Sequence, residues 1–158
     1  WSLTYDGNVV NDFADRTTEL DPGGGQSIDY ISSFGEDGNG ELYICDIFGE
    51  VYKIVTEMKL ESNVLQSGQN AVLQATGASP NTTVYFGYSL MGTGKTPVPP
   101  LGIDIALNNP KFAGSVQSDN TGTATLIKFL PSITQGMSVW IQAAEFGNTS
   151  NVISAVIQ

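Results

Sequence analysis

Residues 70–90, NAVLQATGASPNTTVYFGYSL, decide the reading of the fold. Ala71, Leu73 and Ala75 recur at every second position, and after a break Val84, Phe86, Tyr88 and Leu90 recur in the same way. In an extended chain, side chains two positions apart share a face, so each set marks a strand with one buried side. The break, Gly77 to Asn81, is made of residues that favour chain reversal. Outward from this hairpin the same period recurs. Ile103, Ile105 and Leu107 form one inward set, Phe112 and Val116 the next. Then come Ala124 with Leu126 (or, on the opposite face, Ile127 with Phe129), Val139 with Ile141 and Ala143, and Val152 with Val156 or Ile153 with Ile157. Leu60 and Val64–Leu65 open the series. Met91–Gly94, Asp119–Gly122 and Phe146–Asn148 supply further turns. No amphipathic helical period interrupts the strands, and a parallel sheet would need helical crossovers. The spacing predicts an all-β chain whose residues 58–158 form a β-sandwich.

The first third reads as short hairpins. Leu3–Tyr5 and Val9–Phe13 flank the turn Asp6-Gly7-Asn8, where glycine takes positive φ without steric cost. Residues 21–25, DPGGG, break the chain. Ile28–Phe34, Glu41–Ile47 and Glu50–Val55 then follow one another through tight turns, the pattern of an antiparallel meander. In the middle strand, Cys45 alternates with Tyr43 and Ile47 and is expected to be a buried small hydrophobe rather than a reactive thiol.

Charge divides the chain at the same place. Residues 1–57 hold twelve of the sixteen acidic side chains against Arg16 and Lys53, whereas residues 58–158 are balanced. A composition step of this kind places a domain boundary near Thr56–Met58, giving an acidic 1–57 and a neutral 58–158. With a net charge of −10 and six basic residues, nucleic-acid binding is excluded as a leading function, because phosphate contacts need clustered cations. Histidine is absent, so this chain supplies neither a histidine base nor a histidine metal ligand. A single cysteine rules out an internal disulfide. No run approaches the ~18 apolar residues of a membrane helix. The sequence begins at Trp1 without a signal peptide, as a processed secreted chain or an excised piece would.

Two resemblances add to this reading. Residues 31–54, ISSFGEDGNGELYICDIFGEVYKI, resemble the last blade of the glucose/sorbosone dehydrogenase family of β-propellers, and residues 1–7, WSLTYDG, resemble outer strands of the blade before it. The resemblance implies a partial propeller blade over residues 1–57. It also implies a longer parent whose other blades carry a pyrroloquinoline quinone (PQQ) cofactor and the catalytic histidine and arginine, so no catalytic or cofactor residue is carried over to this chain. Residues 75–90, 119–124 (DNTGTA), 139–144 (VWIQAA) and 150–152 (SNV) are similar to a C-terminal β-sandwich module of large secreted, planctomycete-type bacterial proteins. That likeness implies an extracellular or cell-surface location and an Ig-like or FnIII-like sandwich.

Three candidate sites come from the residues themselves. Asp37, Asn39 and Glu41 place oxygen ligands at alternating positions on a glycine-rich loop, as a calcium site does, although a hairpin turn with solvated carboxylates is the favoured alternative. Trp140 lies on the face opposite Val139 and Ile141, with Tyr85 as a companion. Exposed rings there could stack on sugars, and burial beneath the Thr96–Pro100 loop is the favoured alternative. Residues 92–96, GTGKT, echo a phosphate-binding loop, but Pro97, Pro99 and Pro100 forbid the helix it requires. The expected function is therefore a non-catalytic part of a secreted propeller protein, with the sandwich used for surface attachment or assembly. The alternatives are a fragment of a quinone-dependent sugar dehydrogenase, a self-assembling fibre subunit and a carbohydrate-binding module. The partners expected are further propeller blades, copies of the same chain, or cell-surface polysaccharide.

Overall fold

The computed structural model describes residues 2–18, 20, 22, 26–38 and 40–158. It is all-β, with antiparallel sheets, none of them closed, in two compact units, Trp1–Ile54 and Val55–Gln158.

In the first unit, β1 (Ser2–Tyr5) pairs with β2 (Val10–Ala14). The Asp6 carboxylate secures their turn by accepting the N–H groups of Asn8 and Val9, each at 2.9 Å. β3 (Ile31–Glu36), β4 (Leu42–Asp46) and β5 (Val51–Lys53) form a meander in which Phe34, Ile44 and Tyr52 stand side by side. The strand expected from Ile28 starts three residues later. The N–H groups of Asp29 and Tyr30 are taken by the carboxylate of Asp46, at 3.1 and 2.9 Å, and so are unavailable to a ladder. That carboxylate also accepts Phe48 N–H at 3.0 Å, and these backbone donors hold its pKa below the usual carboxylate value. The buried side of β4 is consequently Ile44 and Asp46, while Tyr43 and Cys45 are half-buried and Ile47 is exposed.

The second unit has two main sheets. One runs β12 (Ala124–Phe129), β7 (Asn70–Thr76), β6 (Lys59–Ser62). The other runs β11 (Lys111–Gln117), β8 (Thr83–Ser89), β13 (Ser138–Glu145), with β14 (Asn148–Thr149) and β15 (Ile153–Val156) both paired to β13. Their inner faces share one core: Leu60, Leu73, Ala75 and Ala124 from the first, Val84, Phe86, Val139, Ile141 and Ala143 from the second. The two open alternatives resolve through this core. Ala124 and Leu126 face inward because they pair with Ala75 and Leu73, which leaves Ile127 and Phe129 exposed. Ile153 and Ile157 pack on the core, whereas Val156 is exposed.

Phe112 departs from expectation. Set among the inward residues by its period, it is 68% exposed. The ladder of β11 and β8 pairs Phe112 with Gly87 but Gly114 with Phe86, so Ala113 is an extra residue, a β-bulge. The bulge reverses the alternation: Val116 stays on the core side and Phe112 turns outward. Gly114 suits the spot because a Cβ there would stand 3.0 Å from Leu126 Cδ1. Leu90, at the end of β8, is also more exposed than its alternation suggests.

One end of this unit is tied by buried polar groups. Glu145, 2% exposed, accepts hydrogen bonds from Ser79 N–H through both oxygens at 3.0 Å and from Thr82 Oγ1 at 2.8 Å. The Ser118 hydroxyl donates to Ser79 O at 2.6 Å and accepts Thr82 N–H at 3.0 Å. Asn151 presents its side-chain amide to the free edge of β6, accepting Leu60 N–H at 2.8 Å and donating to Leu60 O at 3.2 Å. It thereby satisfies backbone groups that would otherwise invite another strand.

Candidate functional site

A hairpin stands over the outer face of the five-stranded sheet. It is made of β9 (Thr96–Val98) and β10 (Ile103–Ile105), joined through a 3-10 turn at Pro99–Leu101. Proline at two positions of that turn pre-sets its φ angles. The hairpin is anchored at several points. Gln142, buried on β13, accepts Ala106 N–H and donates to Ser150 O, both at 2.8 Å. Thr96 Oγ1 donates to Leu107 O at 2.7 Å, and Leu101 O accepts Gly147 N–H at 2.9 Å. Lys95, the lysine of the GTGKT segment, is ion-paired with Asp104 at 2.9 Å.

Beneath the hairpin lies a second small core of Ile105, Leu107 and Ala144, against which Val98, Leu101, Ile103 and Trp140 pack. Trp140 is thus half-buried and supports the hairpin. Tyr85 lies on the same face of the sheet, but the ladder partner of Trp140 on β8 is Ser89, four residues from Tyr85, roughly 13 Å along the strand. The structure does not bring these two rings together as one platform.

It places Tyr85 beside Phe112 instead. Tyr85 and Gly87 are successive outward residues of β8, and the bulge sets Phe112 opposite Gly87. Because Gly87 has no side chain, the sheet surface is hollow at this point. The hollow forms the floor of a cleft of about 390 Å³, walled by Val98, Pro100 and Leu101 on one side and by Lys111 and Phe112 on the other. That volume lies within the range of ligand pockets. Tyr85 is 38% exposed, and its hydroxyl has no hydrogen-bond partner among the described residues. Lys111 borders the cleft through its backbone, its carbonyl oxygen standing 3.7 Å from where a Cβ on Gly87 would lie. Two aromatic rings and one hydroxyl thus border an open hollow with an apolar wall. This suits a flat ligand with apolar faces and hydroxyl edges. Sequence reasoning found Tyr85 and missed Phe112. The available signals were the interior glycines at 87 and 114, since glycine within a strand marks a bulge or a close approach.

The acidic loop of the first unit is arranged differently. Asp37 Oδ1 accepts Glu41 N–H at 3.0 Å and closes the turn. Glu41 is ion-paired with Lys53 at 2.6 Å. The Tyr43 hydroxyl lies 3.3 Å from both carboxylates, and burial, followed by those two negative charges, raises its pKa above the usual tyrosine value. Asn39 lies outside the described residues. Among the described residues no cluster of three or more His, Cys, Asp or Glu side chains has metal-binding geometry, and no helix is long and apolar enough to cross a membrane.

No protein-family model matches the chain, and no curated protein matches it. Among solved structures, the sensor domain of the anti-sigma factor RsgI4 of Pseudobacteroides cellulosolvens is similar, with a TM-score of 0.38 and 12% identity over 66% of this chain and 95% of that one.

Proposed function

We propose that this chain is a non-catalytic part of a secreted bacterial propeller protein, in which an Ig-like or FnIII-like sandwich attaches the molecule to extracellular polysaccharide. The cleft of Tyr85 and Phe112 carries the attachment reading, because two exposed rings beside a hollow sheet surface offer stacking faces to sugar rings. The partial-blade reading of residues 1–57 is supported by the in-order meander β3-β4-β5 and by its resemblance to a propeller blade. The test is co-sedimentation of the full chain with insoluble polysaccharides of several linkage types. At least one polysaccharide should retain it, and Tyr85→Ala with Phe112→Ala together should weaken retention at least tenfold without changing the fold by circular dichroism. Equal retention of the double variant, or no retention on any polysaccharide, overturns the attachment reading.

A second reading, self-assembly, is favoured by a different observation. Leu3, Tyr5, Phe13, Phe34, Ile47 and Phe48 of the first unit are all more than half exposed. Strands β3 and β5 each leave one edge unpaired among the described residues. Exposed apolar side chains and open strand edges in one unit offer a surface for a further sheet, supplied by other blades or by a second copy.

A further inference from the structure

We propose that the second unit binds a medium-chain fatty-acid carboxylate in the open end of its core, with Lys128 as the counter-charge. At the end of the two main sheets remote from Glu145, the core opens into a cavity of about 220 Å³. Its walls include Leu65, Leu73, Tyr88, Val139, Ile141 and Ile157. Native cores leave few voids larger than one water molecule, and an apolar cavity of about 150 Å³ already admits benzene. The mouth is preformed. Gly68 N–H donates to Leu130 O at 2.7 Å, Gly136 N–H to Ile157 O at 2.8 Å, and Gln158 N–H to Leu65 O at 2.9 Å, so backbone bonds fix the rim segments to one another. Leu90, Phe129 and Met137 line the cavity and are exposed, which leaves an apolar lip around the opening.

Lys128 gives the ligand its chemistry. It follows Ala124 and Leu126 at the two-residue period and pairs with Ala71, itself a core residue, so it occupies an inward-facing position on β12. There it lines the apolar cavity while remaining exposed. An aliphatic stem along the wall with its ammonium in water is how such a side chain behaves at an apolar boundary. Lys53, Lys59 and Lys95 each hold a carboxylate, whereas Lys128 has no acidic partner among the described residues. An apolar bore with one free cation at its mouth is complementary to a single alkyl chain with an anionic head.

The experiment is calorimetric titration of the full chain with octanoate and decanoate below their micellar concentrations and with decanol below its solubility limit. The carboxylates should bind saturably at one site, about fourfold more tightly for each added methylene until the cavity is full. Lys128→Met should weaken decanoate about tenfold and leave decanol within twofold, while Lys128→Arg retains decanoate. Because Lys128 is exposed, the folded core does not depend on it, and thermal unfolding of each variant checks this. Absence of saturable carboxylate binding, affinity independent of chain length, or equal loss of decanoate and decanol overturns the proposal. So does a Lys128→Met variant that aggregates yet binds decanoate as before, since the lysine would then serve only to guard the edge strand β12.

Discussion

Replacing Glu145 by glutamine keeps the side-chain shape and removes one acceptor from the end of the second unit. The carboxylate is buried with no cation on it among the described residues, and its partners are all donors: Ser79 N–H to both oxygens, Ser79 Oγ at 3.2 Å, Thr82 Oγ1 at 2.8 Å and Asn148 Nδ2 at 3.4 Å. If the new amide oxygen keeps Thr82 and the backbone N–H, its NH₂ meets Ser79 Oγ, which can rotate to accept, and the Asn148 amide, which cannot while it also donates to Thr56 O at 3.0 Å. One donor–donor contact remains, and the surviving bonds lose their charge assistance. Hydrogen bonds to a charged group contribute about 1.5–3 kcal/mol each. Relief from burying an unpaired charge offsets part of the loss, leaving a net destabilisation of about 2 kcal/mol. For a unit of this size that corresponds to a drop in Tm of roughly 8–16 °C. Urea unfolding in a Trp1→Phe background, where Trp140 is the remaining tryptophan, reports on this unit. A change under about 0.5 kcal/mol would refute the claim that this carboxylate ties residues 79–82 to β13.

Two further outcomes follow from the charges and the exposed strands. Asp46 accepts backbone N–H groups, Asp119 the Thr121 hydroxyl together with backbone N–H groups, and in both the folded pKa lies below the ordinary carboxylate value. The unfolded chain therefore binds protons more readily, so their contribution is complete above about pH 4 and is lost as pH falls through the folded values. Tm should hold between pH 7 and 5 and fall below about pH 4, with Asp119→Asn flattening that fall; a Tm unchanged down to pH 2 contradicts this. If the first unit assembles through its apolar strands, sedimentation of the full chain should show mass rising with concentration, and Phe34→Lys with Phe13→Lys should return it to monomer. Monomers at every concentration and salt count against assembly.

Sequence alone determined the all-β class and most of the inward set of the second unit, because strand alternation and turn chemistry are local and leave a period-two record. The hairpin at 70–90 and the Val139–Ala143 face are legible for that reason. What the tertiary structure decided are contacts between residues far apart in the chain. Glu145 meets Ser79 across 66 positions. A bulge against β8 turned Phe112 outward, and period counting within β11 cannot see a partner strand. Trp140 is covered because Gln142 fastens a distant hairpin above it. Lys128 lines a cavity whose other walls come from residues as far away in the chain as Leu65 and Ile157. Alternation says which face a residue takes. Only the meeting of two sheets says what lies opposite that face, because that depends on where the strands end and how they cross.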